Sequence, residues 1–202
     1  MTVADGELEP IVDSLRMKEL LRDMVDTRGK IARMIESGEL IQLRRGLYAT
    51  RRDLDPLALA GSIYGPSYIS FETALSYHGL IPEAVYEVTS ATLRRPKEFE
   101  NRFGRFRFRR IPQRVYPIGV ERVVESEIPF LIASATKALC DRIALEARMR
   151  SMRDVRRWAQ LMRINPDTDL DMTVLAACAE RYRRPAVRLL QQTAERYGGI
   201  LP

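Results

Sequence analysis

The sequence holds a single histidine, His78, a single tryptophan, Trp158, and two cysteines, Cys140 and Cys178. With one imidazole, a multi-histidine metal site is excluded, and any Ser-His-Asp or Cys-His chemistry has to pass through that ring. His78 stands before Gly79 at the expected end of a helix, where an imidazole serves by hydrogen bonding or by complementing the helix dipole. The two cysteines lie in apolar helical surroundings without zinc spacing, which predicts buried thiols. No Walker loop, Rossmann glycine pattern or paired-carboxylate motif occurs. The longest apolar runs, Ile128 to Ala135 and Val174 to Ala179, fall far short of the roughly 20 residues a bilayer-crossing helix needs. The start, Met1 to Glu9, is acidic and lacks the positive and then apolar stretch of a secretory leader. These absences set the expectation of a cytoplasmic protein away from membranes, with no cofactor, no metal and no catalytic residue, hence not an enzyme.

What is present is an ordinary globular composition, 46% hydrophobic and 30% charged over 202 residues. That length suits one large domain or two small ones, and the element pattern favours two, closely coupled: 1–52 and 53–202. The net charge of +6 is unevenly placed. Residues 94 to 114 carry Arg94, Arg95, Lys97, Arg102, Arg105, Arg107, Arg109, Arg110 and Arg114 against Glu98 and Glu100, a balance of +7 that leaves the rest of the chain at −1. Arginine forks match phosphate oxygens and guanine edges, so a polyanionic partner follows from this run.

Along the first domain, Ile11, Val12, Leu15, Leu20, Leu21 and Met24 fit one or two short amphipathic helices, with Ser14 available as an internal cap. Asp26 or Thr27 caps a second segment, Arg28 to Ser37, closed by Gly38, with Lys30 and Arg33 on its outer side. Two β-prone runs follow in Leu40 to Ala49, joined by a turn in which Gly46 takes positive φ. A helix, a turn, a second helix with a basic outer face and a basic-tipped hairpin is the order of a winged helix-turn-helix. The same pattern also fits a helical subdomain with ordinary solvated charges.

In the second domain Asp55-Pro56 opens a helix through Ile63, and Gly65-Pro66 breaks it. Ser70 caps a helix over Phe71 to Tyr77 that ends at Gly79, and no G-x-S-x-G context marks it as a nucleophile. Val85 to Thr92 and Phe103 to Ile111 read as strands, the second alternating Phe106 and Phe108 with outward Arg105, Arg107 and Arg109. Ser134 caps a helix to about 145, and helices over about 152–163, 172–182 and 185–197 finish the chain. Lys137 and Asp141 lie four apart, at ion-pair spacing. The only charges between Asp53 and Leu93 are Asp53, Asp55, Glu72, Glu83 and Glu87, which suit a basic partner or the chain's own arginine strand. The fold class is therefore α+β: an N-terminal winged helix-turn-helix, then a mixed domain with a small antiparallel sheet and several helices.

Three stretches resemble the AbiEi family, the antitoxins and transcriptional regulators of type IV toxin-antitoxin abortive-infection systems. They are Leu40-Ile41-Gln42-Leu43-Arg44-Arg45-Gly46-Leu47-Tyr48-Ala49; the segment from Tyr68 through Ser70, Phe71 and Glu72 to His78-Gly79-Leu80-Ile81-Pro82; and Ile132-Ala133-Ser134-Ala135-Thr136-Lys137-Ala138-Leu139-Cys140-Asp141. They span about Thr27 to Leu145 in the family's order, with Thr136 where the family pattern has an acidic residue. The resemblance implies a non-enzymatic protein that represses its own operon and counteracts a nucleotidyltransferase-like toxin, with or without direct contact.

The expected partner is double-stranded DNA of the protein's own promoter. Candidate contacts are Arg28, Lys30 and Arg33 on the helix, Arg44 and Arg45 on the wing, and Arg94, Arg95, Lys97, Arg105, Arg107 and Arg109 on the basic sheet. The alternative is a protein-interaction module that binds an acidic partner through that sheet, its N-terminal helices serving as scaffold.

Overall fold

Short polar side chains start most of the helices in the computed structural model, which describes residues 9–83 and 85–200. The acidic start at Met1 to Glu9 lies almost wholly outside the described residues. Asp13 accepts from Arg16 N and starts α1 (Ser14–Leu20); Asp26 accepts from Gly29 N and starts α2 (Thr27–Ser37). Asp55 starts α3 (Pro56–Ile63), with proline at the first position, where a missing N–H costs nothing. α4 (Phe71–Tyr77) follows, then α5 (Ala135–Ile143) behind Ser134, α6 (Met152–Leu161) behind Ser151, α7 (Met172–Tyr182) behind Asp171 and α8 (Pro185–Tyr197). Each of these three caps accepts a backbone N–H from the first turn it precedes.

The N-terminal residues differ from the sequence reading at one point. Ile11–Asp13 is a strand, β1, and the cap is Asp13 rather than Ser14. β1 pairs antiparallel with β3 (Leu47–Ala49), which pairs antiparallel with β2 (Ile41–Arg44), giving a three-stranded sheet in the order β1-β3-β2. A three-residue strand that runs straight into a helix carries too few residues to show period-two alternation. Gly46 takes φ of 76° in the tip between β2 and β3, and its carbonyl accepts from both the backbone and the hydroxyl of Ser14.

The second sheet has six strands: β4 (Ser67–Ile69), β5 (Glu87–Thr92), β6 (Lys97–Asn101), β7 (Gly104–Arg110), β8 (Val120–Val123) and β9 (Phe130–Ala133). Their order is β6-β7-β5-β4-β9-β8, mixed rather than the small antiparallel sheet expected, because β4 pairs parallel with β9 and β5 parallel with β7. The architecture is α+β, with eight α-helices and two sheets among the described residues. β4 and β9 are short and largely buried, so they show apolar runs instead of alternation.

The sheet is covered on both faces. α3 lies on the face that carries Phe106 and Phe108, where Tyr64 meets Phe108 and Phe99 edge-on or tilted. α4 lies on the other, where Thr73 hydroxyl meets Thr89 hydroxyl at 2.9 Å. The main core takes in α3 to α8 and also Ile41, Leu43, Leu47 and Ala49 of the β2–β3 hairpin. A smaller cluster, Val12, Met17, Leu21, Met34, Leu40 and Tyr48, fills the space between α1, α2 and the same hairpin. No helix among the described residues is long and apolar enough to cross a membrane.

Candidate nucleic-acid interface

α2 buries Met34 against the small cluster and leaves Arg28 and Arg33 exposed and Lys30 half-exposed. Gly29 is needed in its first turn, since a Cβ there would lie 1.9 Å from the capping carboxylate of Asp26. Arg33 Nε donates to Gly29 O, which runs its side chain back along the helix toward the amino end.

The hairpin tip carries Arg44 and Arg45, and the two differ. Arg45 is exposed and has no side-chain partner among the described contacts. Arg44 is committed: its Nε donates to Ile63 O at 2.8 Å and its Nη1 to Arg45 O. Ile63 O is one of the last carbonyls of α3, which no later turn of helix satisfies. Arg94 Nη1 donates to the neighbouring Gly65 O at 3.1 Å, and Tyr64 hydroxyl to Arg95 O. The guanidinium of Arg94 and the ammonium of Lys97 sit 4.8 and 5.8 Å from the Tyr64 ring centre. Thus Arg44 from the hairpin and Arg94 and Lys97 from the β5–β6 region converge on the carboxyl end of α3, where the helix dipole favours cations. Asn101 Nδ2 donates to Leu43 O and ties β6 to β2 beside this point.

The basic residues of the 94 to 114 run do not form one face. Cross-strand partners share a face of the sheet. Lys97 pairs in register with Phe108, whereas Glu98 pairs with Arg107 and Glu100 with Arg105. Lys97 and Arg94 therefore lie on the α3 side, and Arg105, Arg107 and Arg109 on the α4 side. The latter face is largely self-neutralised. Arg107 contacts Glu98 at 2.9 Å and Glu87 at 3.3 Å, Arg105 contacts Glu100 at 3.6 Å, and Arg109 stacks 5.8 Å from the Phe71 ring centre. Arg114 is used inside the protein, donating to Arg181 O and Tyr182 O at the end of α7. The acidic stretch is spent the same way: Glu87 on Arg107, Glu72 on Arg142 and Glu83 on Arg163.

A second polar constellation lies in the core, where sequence spacing suggested only an ordinary ion pair. Lys137 and Asp141 are fully buried with Nζ 2.6 Å from Oδ1. Asp141 also accepts from Tyr182 hydroxyl at 2.6 Å, Tyr68 hydroxyl at 2.8 Å and Ser70 hydroxyl at 2.7 Å. Ser70 stands at the N-terminus of α4, but its hydroxyl is turned to Asp141 and caps nothing. Burial, reinforced by the Asp141 charge, raises the pKa of both tyrosines far above the ordinary range. Next to them, Cys140 and Cys178 are buried free thiols in mutual contact, and the hydrogen bond to Cys178, with burial, pushes the Cys140 thiol up. His78 Nε2 donates to Ala133 O at 2.8 Å and so ties α4 to β9. The Lys137–Asp141 cluster holds the β4–α4 and β9–α5 segments together and is buried.

Two groups of residues escaped the sequence reading. The buried role of Asp141 left no signal beyond its spacing from Lys137. The arginines of α6 left a clear one, since residues 148 to 163 carry Arg148, Arg150, Arg153, Arg156, Arg157 and Arg163 against Asp154 alone. No family model matches the chain, and no curated protein matches it.

Proposed function

We propose that the protein is a DNA-binding transcriptional regulator whose first domain, residues 1–52, is a winged helix-turn-helix. The observation that carries this is the β1-α1-α2-β2-β3 order with strands arranged β1-β3-β2, which closes a hairpin beside α2 and leaves the basic side of α2 free. A helix of about 10 to 12 Å diameter fits the major groove, so α2 is the reading helix, contacting bases or phosphates through Arg28, Lys30 and Arg33. Arg45 reaches phosphate from the hairpin tip. Beside it Arg94, Arg95 and Lys97 extend the basic surface past the end of α3 and position the duplex without reading sequence.

In this reading the protein represses its own promoter and is the antitoxin of a type IV pair, counteracting a nucleotidyltransferase-like toxin. The support is the AbiEi-like pattern of the three stretches, two of which join through the Tyr68, Ser70 and Asp141 hydrogen bonds. The reading of the sheet as a site for an acidic protein loses weight, because Arg105 and Arg107 already face glutamates.

The test is a mobility shift on the protein's own upstream DNA and on a scrambled duplex, at roughly 50 and 200 mM salt, a range over which backbone contacts lose orders of magnitude. Selective retardation of the promoter, abolished in an Arg28→Ala/Arg45→Ala variant, is the expected result. Equal retardation of both duplexes, or none, overturns the operator-binding reading. The antitoxin role is tested separately: the reading requires a neighbouring gene for a nucleotidyltransferase-like toxin, and co-expression with that toxin is expected to rescue growth.

A further inference from the structure

α6 presents its apolar side, Val155, Trp158 and Ala159, to the core. Its other side places Arg153, Arg156, Arg157 and Gln160 three and four residues apart, on one face. Like charges at this spacing repel by a few tenths of a kcal/mol per pair on an isolated helix. Among the described contacts none of the three arginines has a carboxylate partner, and the one acid in the segment, Asp154, is spent on Ser151 hydroxyl and Arg150 N at the start of the helix. Elsewhere Arg51, Arg105, Arg107, Arg142 and Arg163 are each set against an acid, whereas this row, like Arg28, Arg33 and Arg45 in the first domain, is not.

Arg153, Arg156, Arg157 and Gln160, with the capping Asp154 among them, line an open groove of about 900 Å³ together with Tyr197 at the end of α8. Tyr197 is 45% exposed. The Arg156 guanidinium lies 4.9 Å from its ring centre and that of Arg196 5.7 Å. A cationic track beside a partly exposed tyrosine ring suits a chain that offers phosphates and unpaired bases together. A duplex has its bases stacked inside and gives such a ring nothing to pair with. An acidic protein satisfies the charge but not the stack.

We propose that the α6–α8 groove binds single-stranded nucleic acid, with Arg153, Arg156 and Arg157 on successive phosphates and the Arg156–Tyr197 stack against a base. This surface is separate from α2 and the hairpin, and it does not depend on the operator reading.

The experiment is fluorescence anisotropy of the full-length protein with a labelled oligothymidylate of about 20 nucleotides, enough for more than one site of this kind. An Arg153→Ala/Arg156→Ala/Arg157→Ala variant is expected to bind at least about tenfold more weakly at low salt, with the salt slope smaller by about 2, as for three lost phosphate contacts on a single strand. Tyr197→Leu keeps the charge and is expected to weaken binding by about fivefold or more, the loss of one stacked base. The triple variant removes repulsion along α6 and the Arg156–Tyr197 contact together, two small terms of opposite sign, so its melting temperature should change little. An Arg45→Ala/Arg95→Ala variant should bind the strand normally while losing duplex affinity, which separates failure here from failure of the operator reading. The proposal is overturned if the native protein does not bind the strand, if the triple variant binds it equally well, or if polyglutamate of matched charge displaces the strand better than unlabelled strand does.

Discussion

Arg44 reaches from the hairpin tip to the last turn of α3 and donates its Nε to Ile63 O at 2.8 Å. Its neighbour Arg45 extends into solvent. Two adjacent arginines of one motif therefore do different work, and alanine substitution separates them. Arg44→Ala is expected to lower stability by about 1 kcal/mol, the net worth of an ordinary hydrogen bond, with a secondary loss of DNA affinity from the loosened hairpin. Arg45→Ala is expected to leave the melting temperature unchanged and to reduce the salt slope of duplex binding by about 1. Thermal melts and mobility shifts on both variants check this, and a destabilised Arg45→Ala protein contradicts it.

Asp141 supports a buried cation and three hydroxyls at once. Asp141→Ala leaves the Lys137 charge unpaired in the core, at a cost of about 3 to 5 kcal/mol. Lys137→Met/Asp141→Leu removes both charges and is expected to cost less than Asp141→Ala alone. Urea unfolding of Lys137→Met, Asp141→Leu and the double forms a cycle that measures the coupling directly.

The glutamates of β6 hold down the charge of β7. Glu98→Gln/Glu100→Gln frees Arg105 and leaves Arg107 with Glu87 alone, removing exposed pairs worth at most about 1 kcal/mol each, so stability should barely change. Non-specific duplex affinity is expected to rise, with a salt slope steeper by about 1, when measured on a scrambled duplex. Unchanged affinity would place this face away from the nucleic acid altogether.

Tyr68 and Tyr182 hold their protons more tightly in the folded protein than in the unfolded chain. Their contribution to stability is therefore complete below about pH 10, the ordinary tyrosine value, and declines as the pH rises above it. The urea midpoint should fall between about pH 8 and about pH 11, and Tyr182→Phe should fall less over that interval even if it starts lower. An equal slope for the native protein and the variant would assign the alkaline loss to other groups.

Helix starts were the most legible part of the sequence. Asp26, Asp55 and Ser134 announce helices that begin where these residues stand, and the last two helices match their expected ranges of 172–182 and 185–197. Caps act over three or four residues, so the sequence carries them whole. The sheet was legible only where strands alternate, as in β7. β4, β9 and β1 have three or four residues, and their pairing is decided by partners far along the chain. Charge was legible in amount and misleading in placement. Alternation put Arg105, Arg107 and Arg109 on one face, but the strand bringing Glu98 and Glu100 to that face was not foreseen. Ser70 has the sequence position of a cap and the bonding of a core residue, because Asp141, 71 residues later, competes for its hydroxyl more strongly than the backbone does.

The hairpin of β2 and β3 is a wall between two rooms. Leu40 and Tyr48 furnish the small cluster, while Ile41, Leu43, Leu47 and Ala49 furnish the large one. A chain cut after residue 52 would leave those four side chains facing water, so the first fifty residues are not a cassette to be grafted onto another protein. Any redesign of the outer side of α2 has to be made in place, with the rest of the molecule kept as its foundation.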